Sequence, residues 1–274
     1  MRGLIPHLLM TLRLNQRNPQ ALIFGYVVPI LFLIAFGSVF GTTATEMQQV
    51  LGKVLTIAAL GGACFGLPIT LVAERERGVW RRYRLSPMGG GKLILSTILA
   101  RLIILLTSGA LVVAAAMVIY GMPWLVHPFA TVIAYTATCL AFIGVGLLIA
   151  MTANSVGAVQ AMGQCLFMPM LIIGGVAVPL RLLPDWAQVA SRFMPGRYAV
   201  SAIDHTVLPQ LFLSDAWFSL VVLMVSSLCG TMAALVAFRW DHEAYSPTAN
   251  LRAIALMLGA WGVLGMIAST WHLI

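Results

Sequence analysis

Charge is what this chain has least of. Of its 274 residues only 9% are charged, with 16 Lys and Arg against 8 Asp and Glu. A soluble domain carries about 25% charged residues. At 61% hydrophobic and a mean hydropathy of +0.97, the chain has more apolar surface than a soluble core of this size can bury. Other absences narrow the chemistry. No G-x-x-x-x-G-K-[ST] loop is present to cradle a nucleotide phosphate, and no H-E-x-x-H pair to hold zinc. The five histidines, His7, His127, His205, His242 and His272, fall in five different regions. The four cysteines, Cys64, Cys139, Cys165 and Cys229, all sit in apolar segments without metal-ligand spacing and read as small core residues. Catalytic and metal sites are therefore not expected. Residues Met1–Gln20 have no apolar run and no small-residue cleavage site of a secretory leader.

Long apolar runs dominate what is there. A membrane crossing needs roughly 20 apolar residues. Crossings are expected at about 21–40, 54–72, 93–120, 129–151, 156–179 and 217–238, with a seventh apolar stretch at about 251–271. Residues 1–18 carry Leu4, Ile5, Leu8, Leu9 and Leu12 at helical spacing, too short to cross, and predict an amphipathic helix in the headgroup layer. The segment 41–53 reads as a polar loop. Pro29, Pro68, Pro169 and paired glycines inside the runs are tolerable in membrane helices. Region 180–216 alternates apolar and interfacial residues with Pro184, Pro195 and Pro209, the pattern of short helices dipping back into the outer surface. Arg101, two turns into its crossing, is expected to snorkel to the near face. With no other ionisable group mid-membrane, proton-driven transport has little to stand on.

The charges that exist are concentrated. Ala73 to Pro87 holds Arg75, Arg77, Arg81, Arg82 and Arg84 beside Glu74 and Glu76. Counting Lys and Arg by alternate sides puts twelve, including this stretch and Arg101, on one side. Lys53, Arg181, Arg192 and Arg197 fall on the other. The positive-inside rule then places the N-terminus and the 74–92 loop in the cytoplasm. The net charge of +8 is thus accounted for by a membrane, not nucleic acid. Such a patch is a docking surface or a surface for anionic headgroups.

The order of charges from Glu74 to Met88, Glu-Arg-Glu-Arg-Gly-Val-Trp-Arg-Arg-Tyr-Arg-Leu-Ser-Pro-Met, resembles the segment after the second crossing in the ABC-2 family of permeases, exporters of drugs, lipids and polysaccharides. Val79 stands where that family usually has Thr. The amphipathic N-terminal helix, the run Pro179, Leu183, Pro184, Trp186, and Met194-Pro195 with Tyr198 are similar too. The resemblance covers residues 1–240; the linker and seventh stretch, 241–274, depart from it.

The resemblance implies an all-α polytopic fold of the six-helix ABC-2 (type V exporter-like) kind. An N-terminal interface helix would precede it, re-entrant outer helices (about 180–215) would lie between crossings five and six, and a seventh C-terminal helix would be added. It implies a permease subunit exporting an amphipathic or lipid-like substrate. ATP and Mg would be bound by a separate cytoplasmic ATPase, and this chain would carry no cofactor. A second permease copy, identical or not, and membrane lipids are the other implied partners, and a bacterial inner membrane the location. A short coupling helix at about 74–86 would present Glu74, Arg75, Glu76, Arg77, Gly78, Trp80, Arg81 and Tyr83 to the ATPase. Trp80 and Tyr83 would be the buried anchors and Gly78 the turn. Tyr26, Gln160 and Gln164 are the path candidates. Pro179, Pro184, Trp186, Pro195 and Tyr198 would belong to an outer gate. An ion or metabolite extruder of the same build, and a non-transporting assembly or sensor subunit, are the alternatives.

Overall fold

The computed structural model describes residues 4–17, 19–40, 43–84, 89–209, 213, 216–238 and 247–270. These are helical in all their regular parts. In order they are α1 (Leu4–Arg17), α2 (Pro19–Leu22), a π-turn (Ile23–Val27), α3 (Val28–Phe40), α4 (Ala44–Gly61), a second π-turn (Gly62–Gly66), α5 (Leu67–Glu76), α6 (Val79–Arg84), α7 (Gly90–Tyr120), α8 (Pro128–Thr152) and α9 (Val156–Ile172). A 3-10 turn (Leu180–Leu182), α10 (Asp185–Ser191), α11 (Pro195–Val207), α12 (Ala216–Val236) and α13 (Pro247–Thr270) follow. Residues 85–88 and 239–246, the end of the charged motif and most of the linker before the seventh stretch, lie outside the described residues. α7 begins after Gly89.

One continuous helix organises the bundle. α4, the second π-turn and α5 run without a break from Ala44 to Glu76, 33 residues with 94% of their most apolar window buried. At 1.5 Å per residue this rod is about 50 Å long, longer than the roughly 30 Å hydrocarbon layer. Lys53 and Arg75 lie about 33 Å apart along it by the same rise. The polar loop expected at 41–53 is therefore corrected: from Ala44 on it is helix. Thr43 caps it, its side chain accepting from the Glu46 N–H while the Glu46 carboxylate accepts from the Thr43 N–H, a capping box. Thr43-x-x-Glu46 is the signal that would have found this start.

Four other helices, α7, α8, α12 and α13, are long and apolar enough to cross a membrane, and α3 and α9 are shorter apolar helices. α9 ends at Ile172, short of the expected 179, because Gly174-Gly175 breaks it, with Gly175 at φ +76°. α8 and α12 cross at Gly144 and Gly230, where a side chain on either would meet the partner's backbone. The outward faces are apolar, with Phe129 86% and Val118 85% exposed, as lipid contact requires.

α13 is tied near both of its ends. The Asn250 amide donates to the Thr152 carbonyl at the end of α8, and Gly265 packs against the Phe193 ring beside α11. It therefore runs alongside the bundle and not across one of its ends. Cysteines placed at Thr248 and Thr270 should react with a membrane-impermeant maleimide from opposite sides of sealed vesicles. Reaction from one side only would lay α13 along a surface.

Candidate functional site

The charged stretch folds inward before it offers anything outward. α5 ends at Glu76 and α6 starts at Val79; the turn between them needs a left-handed residue, and Gly78 supplies it at φ +70°. Arg75 is 2% exposed, and its Nη2 donates to the carbonyl of Ala153, the cap residue of α8. The next residue, Glu76, accepts from the Val156 N–H at 3.3 Å, the first residue of α9. Two consecutive side chains thus bind the two ends of one turn, cation to a helix C-terminus and carboxylate to a helix N-terminus, as the helix dipoles favour. A hydrogen bond from a buried charge is worth about 1.5–3 kcal/mol.

Trp80 closes this clamp from below. It is 1% exposed, with the Arg75 guanidinium 5.6 Å from its ring centroid. Its other face stacks on Phe238, beyond the end of α12, at 5.8 Å and 20°. Phe238 in turn packs on Gly90 at the start of α7. Trp80, expected as an anchor buried in a partner, is instead buried in its own chain. An indole of this size finds its apolar surroundings in the groove between helix ends, and its replacement by Ala would cost about 3–5 kcal/mol. Glu74 is half-buried beside Trp80. The outward face of the stretch consists of Arg77, Arg81 and Arg82, all exposed. Tyr83 belongs to α6, but its side chain lies outside the described residues.

α1 packs with its polar stripe inward. His7 and Asn15 are buried and Thr11 half-buried, while Ile5, Leu9 and Leu14 are exposed beside Arg13 and Arg17. His7 Nδ1 pairs with Ser96 Oγ of α7 at 2.7 Å, and burial holds this imidazole below its usual pKa. A small chamber of about 20 Å³ lies between α1, α5 and α7, with His7, Asn15, Thr70, Glu74, Thr97 and Arg101 among its lining residues. Arg101 does not snorkel. It is 3% exposed, and its Nε donates to the Gly62 carbonyl at 3.0 Å. The second π-turn beside it offers a carbonyl, and the guanidinium turns to that instead of to the surface.

The path candidates divide. Tyr26 lies on the first π-turn and shares a hydrogen bond with Thr107 of α7 at 2.8 Å. It lines a groove of about 140 Å³ with residues of α1, α2 and α7, none of them from α9. Gln160 and Gln164 lie one turn apart on the exposed face of α9, away from Tyr26's groove. Within one turn of Gln164, Phe167 packs edge-on against Phe65 of the second π-turn at 5.4 Å.

The region expected to be outer is built from short helices that start at prolines. Pro179 precedes the 3-10 turn, Pro184 precedes α10, and Pro195 is the first residue of α11. Trp186 is 66% exposed with Leu182 and Val189 around it, an apolar outer rim. Tyr198 points the other way: it is 1% exposed, its hydroxyl donates to the Arg192 carbonyl at 2.6 Å, and its ring meets Phe218 edge-on. Asp204 of α11 lies against Gly52, with Lys53 the nearby cation. Its Oδ1 has no hydrogen-bond partner among the described residues. Among the described residues, no three His, Cys, Asp or Glu come together as a metal-ligand set.

The fold and the clamp define a polytopic helical membrane protein whose charged segment joins the same-side ends of several apolar helices. The chain belongs to the ABC-2 type transporter family, whose profile matches residues 9–208. It is similar to the linearmycin resistance permease protein LnrN of Bacillus subtilis (strain 168), 20% identical over 168 residues. That match covers 61% of this chain and 41% of the relative's length. No solved structure matches the chain.

Burial pushes the Asp204 carboxyl up to about 7, against the opposing pull of Lys53. The folded state thus binds this proton more tightly than the unfolded chain, whose value is about 4. Stability from this group is present at low pH and is lost as pH rises from about 4 through about 7. Asp204→Asn should therefore raise the melting temperature at pH 8, with the gain shrinking towards pH 4. A variant less stable than the parent at pH 8 would contradict this.

Proposed function

We propose that the chain is the permease subunit of an ATP-driven exporter, moved by a separate cytoplasmic ATPase that docks on α6. The observation that carries the reading is the two-sided charged stretch. Arg77, Arg81 and Arg82 face outward, while Arg75, Glu76 and Trp80 are locked to α8, α9 and the end of α12. A push on the exposed face is thereby delivered to α9. Individual exposed ion pairs are worth only about 0–1 kcal/mol, so docking rests on the set. The relative's name describes a resistance permease, which agrees with export as the direction.

The N-terminus and α6 are cytoplasmic in this reading, and the membrane is a bacterial inner membrane. A second permease copy packs against α9. Gln160 and Gln164 would be costly against lipid, and a path at that seam gives the two amides polar company. The apolar walls suit amphipathic or lipid-like cargo. Nucleotide and magnesium belong to the ATPase subunit.

The test is a pull-down of the tagged chain with its neighbouring cellular proteins, read by mass spectrometry and by ATP hydrolysis. A stoichiometric ATPase is expected. It should be lost on combined Arg77→Glu, Arg81→Glu and Arg82→Glu substitution, with the melting temperature nearly unchanged because all three side chains are exposed. A monodisperse parent preparation with no nucleotide-hydrolysing partner would overturn the reading.

A further inference from the structure

The first two crossings each carry a π-turn, Ile23–Val27 and Gly62–Gly66, and the two turns touch. A π-turn widens a helix by one residue and leaves backbone carbonyls without their ordinary partners; such turns are frequent at functional sites. In the first, Pro29 has no N–H to give to the carbonyl of Gly25, four residues back. The Ser108 hydroxyl of α7 donates to that carbonyl instead. In the second, the Gly62 carbonyl accepts from the Leu67 N–H, in the five-residue pattern, and from Arg101 Nε and Nη2 of α7. Arg101 and Ser108 are seven residues apart, two turns of one helix, and so lie on one face of α7.

Gly66 is shaped for this arrangement. A Cβ at that position would overlap Arg101 Nη2. Tyr26, on the first π-turn, adds a second bond to the same helix through Thr107. Shape complementarity alone does not call for an arginine here. Its cost is a cation buried to 3% exposure, and its evident return is the carbonyl it holds.

We propose that the two π-turns are the hinges of the transport cycle and that Arg101 and Ser108 are positioning residues, pins on α7 that hold both turns in this conformation. This rests on the exporter reading above. α7 is then the fixed spine and the first two crossings are the moving parts, bending where their helices are already broken. Releasing a pin lets a hinge relax towards an ordinary α-helix, so nucleotide-driven motion no longer reaches the outer side.

The experiment uses the complex with its ATPase in vesicles of phosphatidylethanolamine and phosphatidylglycerol. Cys165 and Cys229 are replaced by Ala, and a reporter cysteine stands at Leu182, which is 70% exposed on the outer rim. Labelling by an impermeant maleimide is compared without nucleotide and with ATP plus vanadate. The parent should change its labelling rate at least about fivefold, the scale of an ordinary allosteric coupling. Arg101→Met and Gly66→Ala should each abolish that change while ATP hydrolysis continues, and the double variant should be no worse than either alone. Arg101→Lys, which keeps a donor, should restore part of the response. Gly66→Ala reaches the same pin from the other side, because its added Cβ would displace Arg101 Nη2 from the Gly62 carbonyl. If both variants fail to fold, Ser108→Ala, which removes one hydroxyl, decides the matter. Variants that respond as the parent does would overturn the proposal. A parent complex that does not respond to nucleotide at all would instead overturn the exporter reading beneath it.

Discussion

A backbone carbonyl inside a hydrocarbon layer must find a donor, and the scarce polar side chains of this chain largely go to that need. Arg75 donates to Ala153, Arg101 to Gly62, Ser108 to Gly25, Tyr135 to Leu105 and Tyr198 to Arg192. Each carbonyl lies at a helix end, beside a break, or under a close crossing. The π-turns that precede Pro29 and Pro68 are held by α7, whose Ser108 and Arg101 bond the Gly25 and Gly62 carbonyls. The bundle is thus held by apolar packing and given its particular bends by a small number of polar bonds.

That arrangement explains how one short charged segment can matter to the whole chain. Arg75 and Glu76 hold the α8–α9 turn, and Trp80 is stacked between Arg75 and Phe238. Four crossings therefore meet at α6: α5 leads into it, α8 and α9 are bound by the two charges, and α12 ends on its tryptophan. α13 joins the same turn through Asn250 and Thr152. Only the Arg77-Gly78 turn separates α6 from the two residues that bind α8 and α9. The rod Ala44–Glu76 then connects this inner cluster to the outer one, where Gly52 and Lys53 meet Asp204.

The crossings were legible in the sequence because twenty apolar residues have no other stable place, and the third, fourth and sixth fall within a few residues of their expected bounds. The direction in which polar residues face was not legible. Arg75 and Arg101 read as surface groups and Trp80 as an anchor in a partner, because charge next to a membrane usually seeks water and nothing in a single sequence tells which neighbouring helix has a spare carbonyl. The start of α4 was readable from Thr43 and Glu46, and was missed because Glu46, Gln48, Gln49 and Lys53 made the segment look like a loop. Gly174-Gly175 was read as the interior of a crossing, although a glycine pair more often marks an end. Of the candidate site, the stretch itself stands out in the sequence by its charge. Its division into an inward clamp and an outward arginine face needed the structure.

The central claim is that α6 and the start of α9 move as one body. The most direct test is the distance between spin labels at Arg82 and Gly157, measured by pulsed electron resonance in the complex with its ATPase, with and without ATP plus vanadate. The account predicts an unchanged distance for that pair while the distance from Arg82 to Leu182 shifts. A pair at 82 and 157 that separates as far as the outer pair would show that the clamp opens, and would contradict the account.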